Sequence, residues 1–133
     1  MAIKHFQDLV NAALLTLQIS VLSLAMGLAI GVILSVWWQS RNPFLFWFVA
    51  IWVGVARNTP ALLQIYLCEF GLGALGIHLS SYTAVLAAII ISTVGYLAEI
   101  LRGGIDAVNL AQRRAALGRG MTPFQVYARI IFP

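Results

Sequence analysis

Arg57 lies in a stretch of sequence with almost no other charge, followed at once by Asn58, Thr59 and Pro60, with Gln64 one turn further on. A guanidinium in hydrocarbon costs from about 3 kcal/mol upward, so it must face protein or a water-filled cavity. Pro60 has no N–H to donate and disfavours helical geometry at Thr59, so a helix carrying Arg57 must kink or break beside it. Loosened backbone at membrane depth is tolerated where it is buried in protein or lines a wet cavity. Arg57, Asn58, Thr59, Pro60 and Gln64 are therefore candidates for the wall of a translocation pathway. The plainer alternative is that Arg57 pairs with a carboxylate or with carbonyls and only holds a bundle together. Glu99 and Arg102 have the helical spacing of a structural ion pair at the end of a span, with Gly103 and Gly104 placed to end the helix, and a proton relay is the alternative.

Other chemistry is poorly served. Cys68 is the single cysteine, and His5 and His78 stand alone, without the spacing of a metal site. No phosphate-cradling loop and no nucleophile with a base can be read, so no catalytic residue is assigned and no cofactor is expected on this chain.

The elements that must position these residues follow from composition. Of 133 residues, 62% are hydrophobic and 9% charged. A water-soluble domain carries about a quarter charged residues, so this chain belongs in a bilayer. The net charge of +4 comes from bases scattered around apolar runs, which suits membrane lipid headgroups or a soluble protein partner and not nucleic acid.

Between Asp8 and Arg41 there is no ionisable residue, and a first span is expected within about 14–38. The run continues through Trp38, longer than the apolar core of a signal peptide. Arg41, Asn42 and Pro43 make a tight turn, a second span follows over about 44–68, and a glycine-rich connector from Gly71 to Gly76 leads to a third over about 83–101. The connector has no Lys or Arg, whereas Arg41 precedes span two and Arg102, Arg113, Arg114, Arg119 and Arg129 follow span three. The positive-inside rule then places the N-terminus outside and the C-terminal segment in the cytoplasm. Trp37, Trp38 and Trp47 are expected at the inner interface, and Tyr66 and Tyr82 near the outer one. Ser23, Gly27, Gly31 and Ser35 recur every fourth residue, a stripe for close helix packing within the subunit or, alternatively, across a subunit dimer.

Residues 103–133 read as helix, turn, helix. Asn109 to Ala116 favours helix, Gly118 and Gly120 permit a bend, and Thr122 with Pro123 is suited to starting a second helix. Phe124, Tyr127 and Ile131 are expected on one face, with Gln125 and Arg129 on the other, as in a segment lying on a membrane or in a partner's groove.

From Arg114 to Pro133 the sequence resembles the cytoplasmic EAA motif of ABC importer permeases, with Ala115, Ala116, Gly120, Ile130 and Pro133 in register. Two positions depart from it: Arg114 stands for the glutamate and Phe132 for the leucine. Arg57, Thr59, Pro60 and Gln64 resemble the R-G-T-P-x-x-x-Q stretch of polar amino acid permeases, with Asn58 in place of glycine, and Tyr96 to Val108 is similar to their third span and its exit.

The resemblance implies an all-α membrane protein of the bacterial inner membrane. It would comprise the N-terminal three transmembrane helices plus the cytoplasmic coupling helix-turn-helix of a type I ABC importer permease bundle, truncated from about five spans. It further implies a cytoplasmic ATPase subunit that carries the ATP and docks on Arg114, Ala115, Ala116, Gly120, Ile130 and Pro133. A periplasmic substrate-binding protein and a second permease subunit, identical or similar, complete the implied assembly. A passive channel or other transporter, and a membrane anchor or assembly subunit, are the competing functions.

Overall fold

The structure, a computed structural model, describes residues 1–132, and every regular element among them is helical. In chain order these are α1 (Ala2–Trp38), α2 (Pro43–Asn58), α3 (Ala61–Tyr66), α4 (Leu72–Ala74), α5 (Ser81–Ala107), α6 (Leu110–Gly118) and α7 (Pro123–Val126). π-helical turns, Leu67–Gly71 and Tyr127–Ile131, extend α3 into α4 and prolong α7. α1 and α5 are each long and apolar enough to cross a membrane; α2 and the α3–α4 stretch pass that test only together and are bent by 104° at the break. Pro133, the last residue of the EAA-like motif, lies outside the described residues.

α1 extends beyond the expected span at its N-terminal side, because nothing between Ala2 and Leu14 breaks a helix. Its small-residue stripe lies against α5. Ser23 and Ser35 are buried, each hydroxyl donating to a carbonyl one turn back, and Gly27 and Gly31 are buried with them. A Cβ on Gly27 would come within 2.6 Å of Thr93 Cγ2, and one on Gly31 within 3.1 Å of Leu97 Cβ and 3.3 Å of the Ala98 nitrogen. The stripe therefore serves packing inside this subunit. Around it α1 exposes Leu17, Val21, Leu24, Leu28 and Ile33, the surface that lipid would cover.

Asn42 and Pro43 start α2 as the sequence predicts, with Asn42 extended and its side chain accepting from the Phe44 N–H at 3.0 Å. Val49 and Val53 of α2 pack with Trp38 and Ala98 in one core cluster, and Cys68, Ala84 and Ala88 form a second at the other end of α5. Cys68 is thus a small apolar core residue. Trp38 is buried in the core, whereas Trp37 and Trp47 are exposed. Gly103 and Gly104 do not end α5, which runs on to Ala107. A helical glycine costs only about 1 kcal/mol, and the stop comes instead at extended Val108, next to the Asn109 cap of α6.

Candidate functional site: a broken helix and a cytoplasmic helix pair

Between Asn58 and Ala61 the backbone turns sharply, and the side chains expected there are largely spent on closing the break. Because Pro60 has no N–H, the carbonyl of Ala56 loses the donor that a continuous helix would supply. Gln64, four residues beyond Pro60 and only 6% exposed, donates its Nε2 to that carbonyl at 2.8 Å and to the Thr59 carbonyl at 3.1 Å. Asn58 Nδ2 donates to the Gly54 carbonyl and Thr59 Oγ1 to the Val55 carbonyl, capping the end of α2 with its own side chains. The proline-to-glutamine spacing is thus a backbone repair, a role that pathway lining alone does not require. Beside it lies a cavity of about 200 Å³ lined mainly by Trp52, Val55, Leu67, Cys68 and Ile91, which Thr59 and Gln64 also reach. Gln64 Oε1 is buried there and accepts no hydrogen bond among the described residues.

Arg57 reaches from α2 to α5, where it forms an ion pair with Glu99 and lies over the Tyr96 ring, 5.5 Å from its centroid. Helix approach here is close: a Cβ on Gly95 would come within 3.0 Å of Ala56 Cβ. The two paired side chains remain 38% and 44% exposed. The pairing corrects the expected Glu99–Arg102 contact. Glu99 faces α2, while Arg102 turns the other way, to Asp106 one turn on at 3.6 Å and onto the Trp38 ring at 4.3 Å from the centroid. Three-residue spacing permitted the pair, but each member has a better partner on another element or at the next turn.

At the other end, α6 and α7 form the helix pair that the sequence suggested. Asn109 caps α6 by accepting from the Ala111 N–H. α6 closes in a Schellman turn, with the Met121 N–H bonded to the Ala116 carbonyl, the Gly120 N–H to that of Leu117, and Gly120 at φ +83°. Thr122 and Gln125 form a reciprocal capping box, and Pro123 occupies the first turn of α7. The face of Phe124, Tyr127 and Ile131, expected to lie on a membrane or in a partner's groove, is uncovered at Phe124 and half-buried at Tyr127 and Ile131. Val126 is the buried residue of α7 and Phe124 is 80% exposed, and the π-helical turn over Tyr127–Ile131 changes the helical period only beyond them.

The motif residues divide between two surfaces. Ala115, Ala116 and Ile130 border one depression together with Met121, whereas Arg114 borders another with Arg41 and Arg113. Ala116 is buried and Ala115 exposed. Two residues that the sequence does not single out, Gln39 and Asp106, help join this pair to the spans. Gln39 Nε2 donates to Asp106 Oδ1 at 2.9 Å, and its Oε1 accepts from Arg113 Nη2 at 3.1 Å and from the Tyr127 hydroxyl at 3.4 Å. Their only sequence signal is that polar residues sit where apolar runs end. Among the described residues no cluster of His, Cys, Asp or Glu has the composition of a metal site.

Comparison with known proteins agrees with this architecture. Residues 9–133 match the family model described as binding-protein-dependent transport system inner membrane component. The chain is 34% identical over 134 residues to the probable amino-acid permease protein YxeN of Bacillus subtilis, covering 98% of this chain and 60% of that protein. It is 32% identical to the arginine transport system permease protein ArtQ of the same organism, covering 90% and 55% respectively. A solved structure, "Crystal structure of an amino acid ABC transporter with histidines", superposes with a TM-score of 0.78 at 30% identity, over 96% of this chain and 63% of that one. The chain thus spans about three fifths of the length of these relatives. With the family model covering nearly all of its helices, and permeases being membrane components without catalysis of their own, the chain belongs to the binding-protein-dependent transport system inner membrane components.

Proposed function

We propose that this chain supplies spans and the ATPase-docking element of an importer permease for polar amino acids, with ATP bound and hydrolysed on a separate cytoplasmic subunit. The observation that carries the reading is the α6–α7 pair. It consists of short capped helices joined at a left-handed glycine, bearing exposed arginines and hung beneath the ends of α1 and α5. Such a rigid, exposed pair is a handle that a soluble motor can grip at Arg114, Ala115, Gly120 and Ile130. Pro133 completes the docking motif. Its displacement would tilt the attached helices and switch the cavity at the α2–α3 break between outward and inward access.

The orientation is N-terminus outside and α6–α7 cytoplasmic, following the arginine distribution. A periplasmic binding protein would deliver substrate, and a second permease subunit, identical or similar, would complete the pathway. The amino acid assignment is supported by the names of the relatives and by charge. An α-amino acid is a zwitterion, and the half-exposed Arg57–Glu99 pair offers a guanidinium to a carboxylate and a carboxylate to an ammonium. That same pairing also favours a second reading, in which Arg57 is a tie between α2 and α5 that never meets substrate.

The test is uptake into proteoliposomes holding the permease, its ATPase and its binding protein. ATP-dependent accumulation of a polar amino acid supports the proposal. Equilibration without ATP favours a passive channel, and absence of any flux with intact assembly favours an anchor subunit.

A further inference from the structure

At the foot of the bundle one side chain touches three elements. Gln39 follows the last residue of α1, and its amide is used at both ends: Nε2 donates to Asp106 on α5, while Oε1 accepts from Arg113 on α6 and from Tyr127 after α7. The neighbours reinforce the same contact. Arg113 also lies over the Tyr127 ring at 5.9 Å, and Asp106 is held by Arg102, whose guanidinium covers Trp38 next to Gln39. An amide carries a donor and an acceptor side by side, and so satisfies a carboxylate on one side and a guanidinium with a hydroxyl on the other. Along the chain α6 is linked to α5 by Val108 and Asn109, so side-chain contacts must fix the angle of the helix pair.

We infer that Gln39 is the positioning residue that locks the cytoplasmic helix pair to the ends of α1 and α5, so that motion of the pair is transmitted to both spans at once. The locking is a property of this chain. Its transmission role rests on the proposed docking of an ATPase.

The experiment compares Gln39→Leu, Gln39→Glu and Gln39→Glu with Asp106→Asn in the permease complex in lipid nanodiscs. Amide hydrogen exchange over residues 110–131 reads the lock. The ratio of binding-protein-stimulated to basal ATP hydrolysis reads the transmission. Gln39→Leu is expected to speed exchange in the helix pair and to lower the stimulation ratio by roughly fivefold or more, as the loss of a shared hydrogen-bond network would. Gln39→Glu keeps the acceptor for Arg113 and Tyr127 but sets a carboxylate against Asp106, and is expected to show the same defects. Asp106→Asn restores a donor at that position and should recover both readouts in the double variant.

Unchanged exchange in Gln39→Leu, or a double variant no better than Gln39→Glu, overturns the lock. Faster exchange with an unchanged stimulation ratio overturns the transmission. Failure of the unaltered permease to retain an ATPase overturns the docking proposal instead, and exchange alone then decides the lock.

Discussion

Arg57 on α2 and Glu99 on α5 form an ion pair between helices whose paired residues stand 42 positions apart in the chain. The pair sits at the helix break, beside the close crossing at Gly95 and with Arg57 over the Tyr96 ring. Removing one member leaves an unmatched charge in a bundle that must live in a bilayer, whereas removing both leaves none.

This difference separates the two roles of Arg57. Arg57→Met alone is expected to abolish uptake and reduce the yield of folded protein, and Arg57→Met with Glu99→Met to recover the yield. If the pair touches substrate, the double variant remains below about a tenth of normal uptake although well folded. Recovery of both yield and uptake would show that the pair is only a tie.

The Gln64 amide predicts a second asymmetry. Gln64→Glu, when ionised, has no donor for the carbonyls of Ala56 and Thr59 and adds a buried charge, whereas Gln64→Leu removes the amide and adds no charge. Both should lower thermal stability in detergent, with the glutamate variant lower by several degrees. Equal unfolding temperatures for the two would contradict the repair role.

Close packing of α1 on α5 gives a steric prediction. Gly31→Ala meets backbone at Ala98 and should cost about 1–3 kcal/mol, the usual range for overpacking. Gly27→Ala meets mainly the Thr93 side chain, so Thr93→Ala should rescue it in part and leave Gly31→Ala unimproved. Thermal unfolding of the four variants checks the pattern.

In the helix pair, conformation and docking can be tested apart. Nothing lies within 4 Å of a Cβ on Gly120 in this chain, so Gly120→Val acts on the chain itself through its backbone angle and should loosen the α6–α7 turn by about 1 kcal/mol or more. Ala115→Trp, on an exposed position, should leave the fold intact and block ATPase co-purification. Ala116→Trp, at a buried position, should disturb the pair itself, seen as faster amide exchange in α6 and α7. A tryptophan at Ala115 that leaves ATPase binding unchanged would remove that residue from the docking surface.

Local rules made much of this legible. The Asn42–Pro43 start of α2, the Thr122–Gln125 box and the Gly120 turn depend on residues within one helical turn of each other, so spacing alone reveals them. The glycine stripe was visible for the same reason, although its partner was not. What escaped depends on which helices meet. Glu99 had a plausible neighbour in Arg102, and only the packing of α2 on α5 turns it toward Arg57. Gln39 and Asp106 are unremarkable in sequence and become a network with Arg113 and Tyr127 where four chain segments converge. The π-helical turn over Tyr127–Ile131 escaped for another reason: it changes the helical period beyond Val126, and an amphipathic pattern judged at one period carries no sign of it.

The central claim, that the arginine-bearing helix pair is gripped in the cytoplasm by a motor, is tested most directly by labelling a cysteine at exposed Arg119. With Cys68 replaced by alanine, Arg119→Cys is treated with a membrane-impermeant thiol reagent. The account predicts no labelling in intact cells, ready labelling in inside-out vesicles stripped of the ATPase, and protection when the ATPase is restored. Labelling in intact cells, or equal labelling with and without the ATPase, would contradict it.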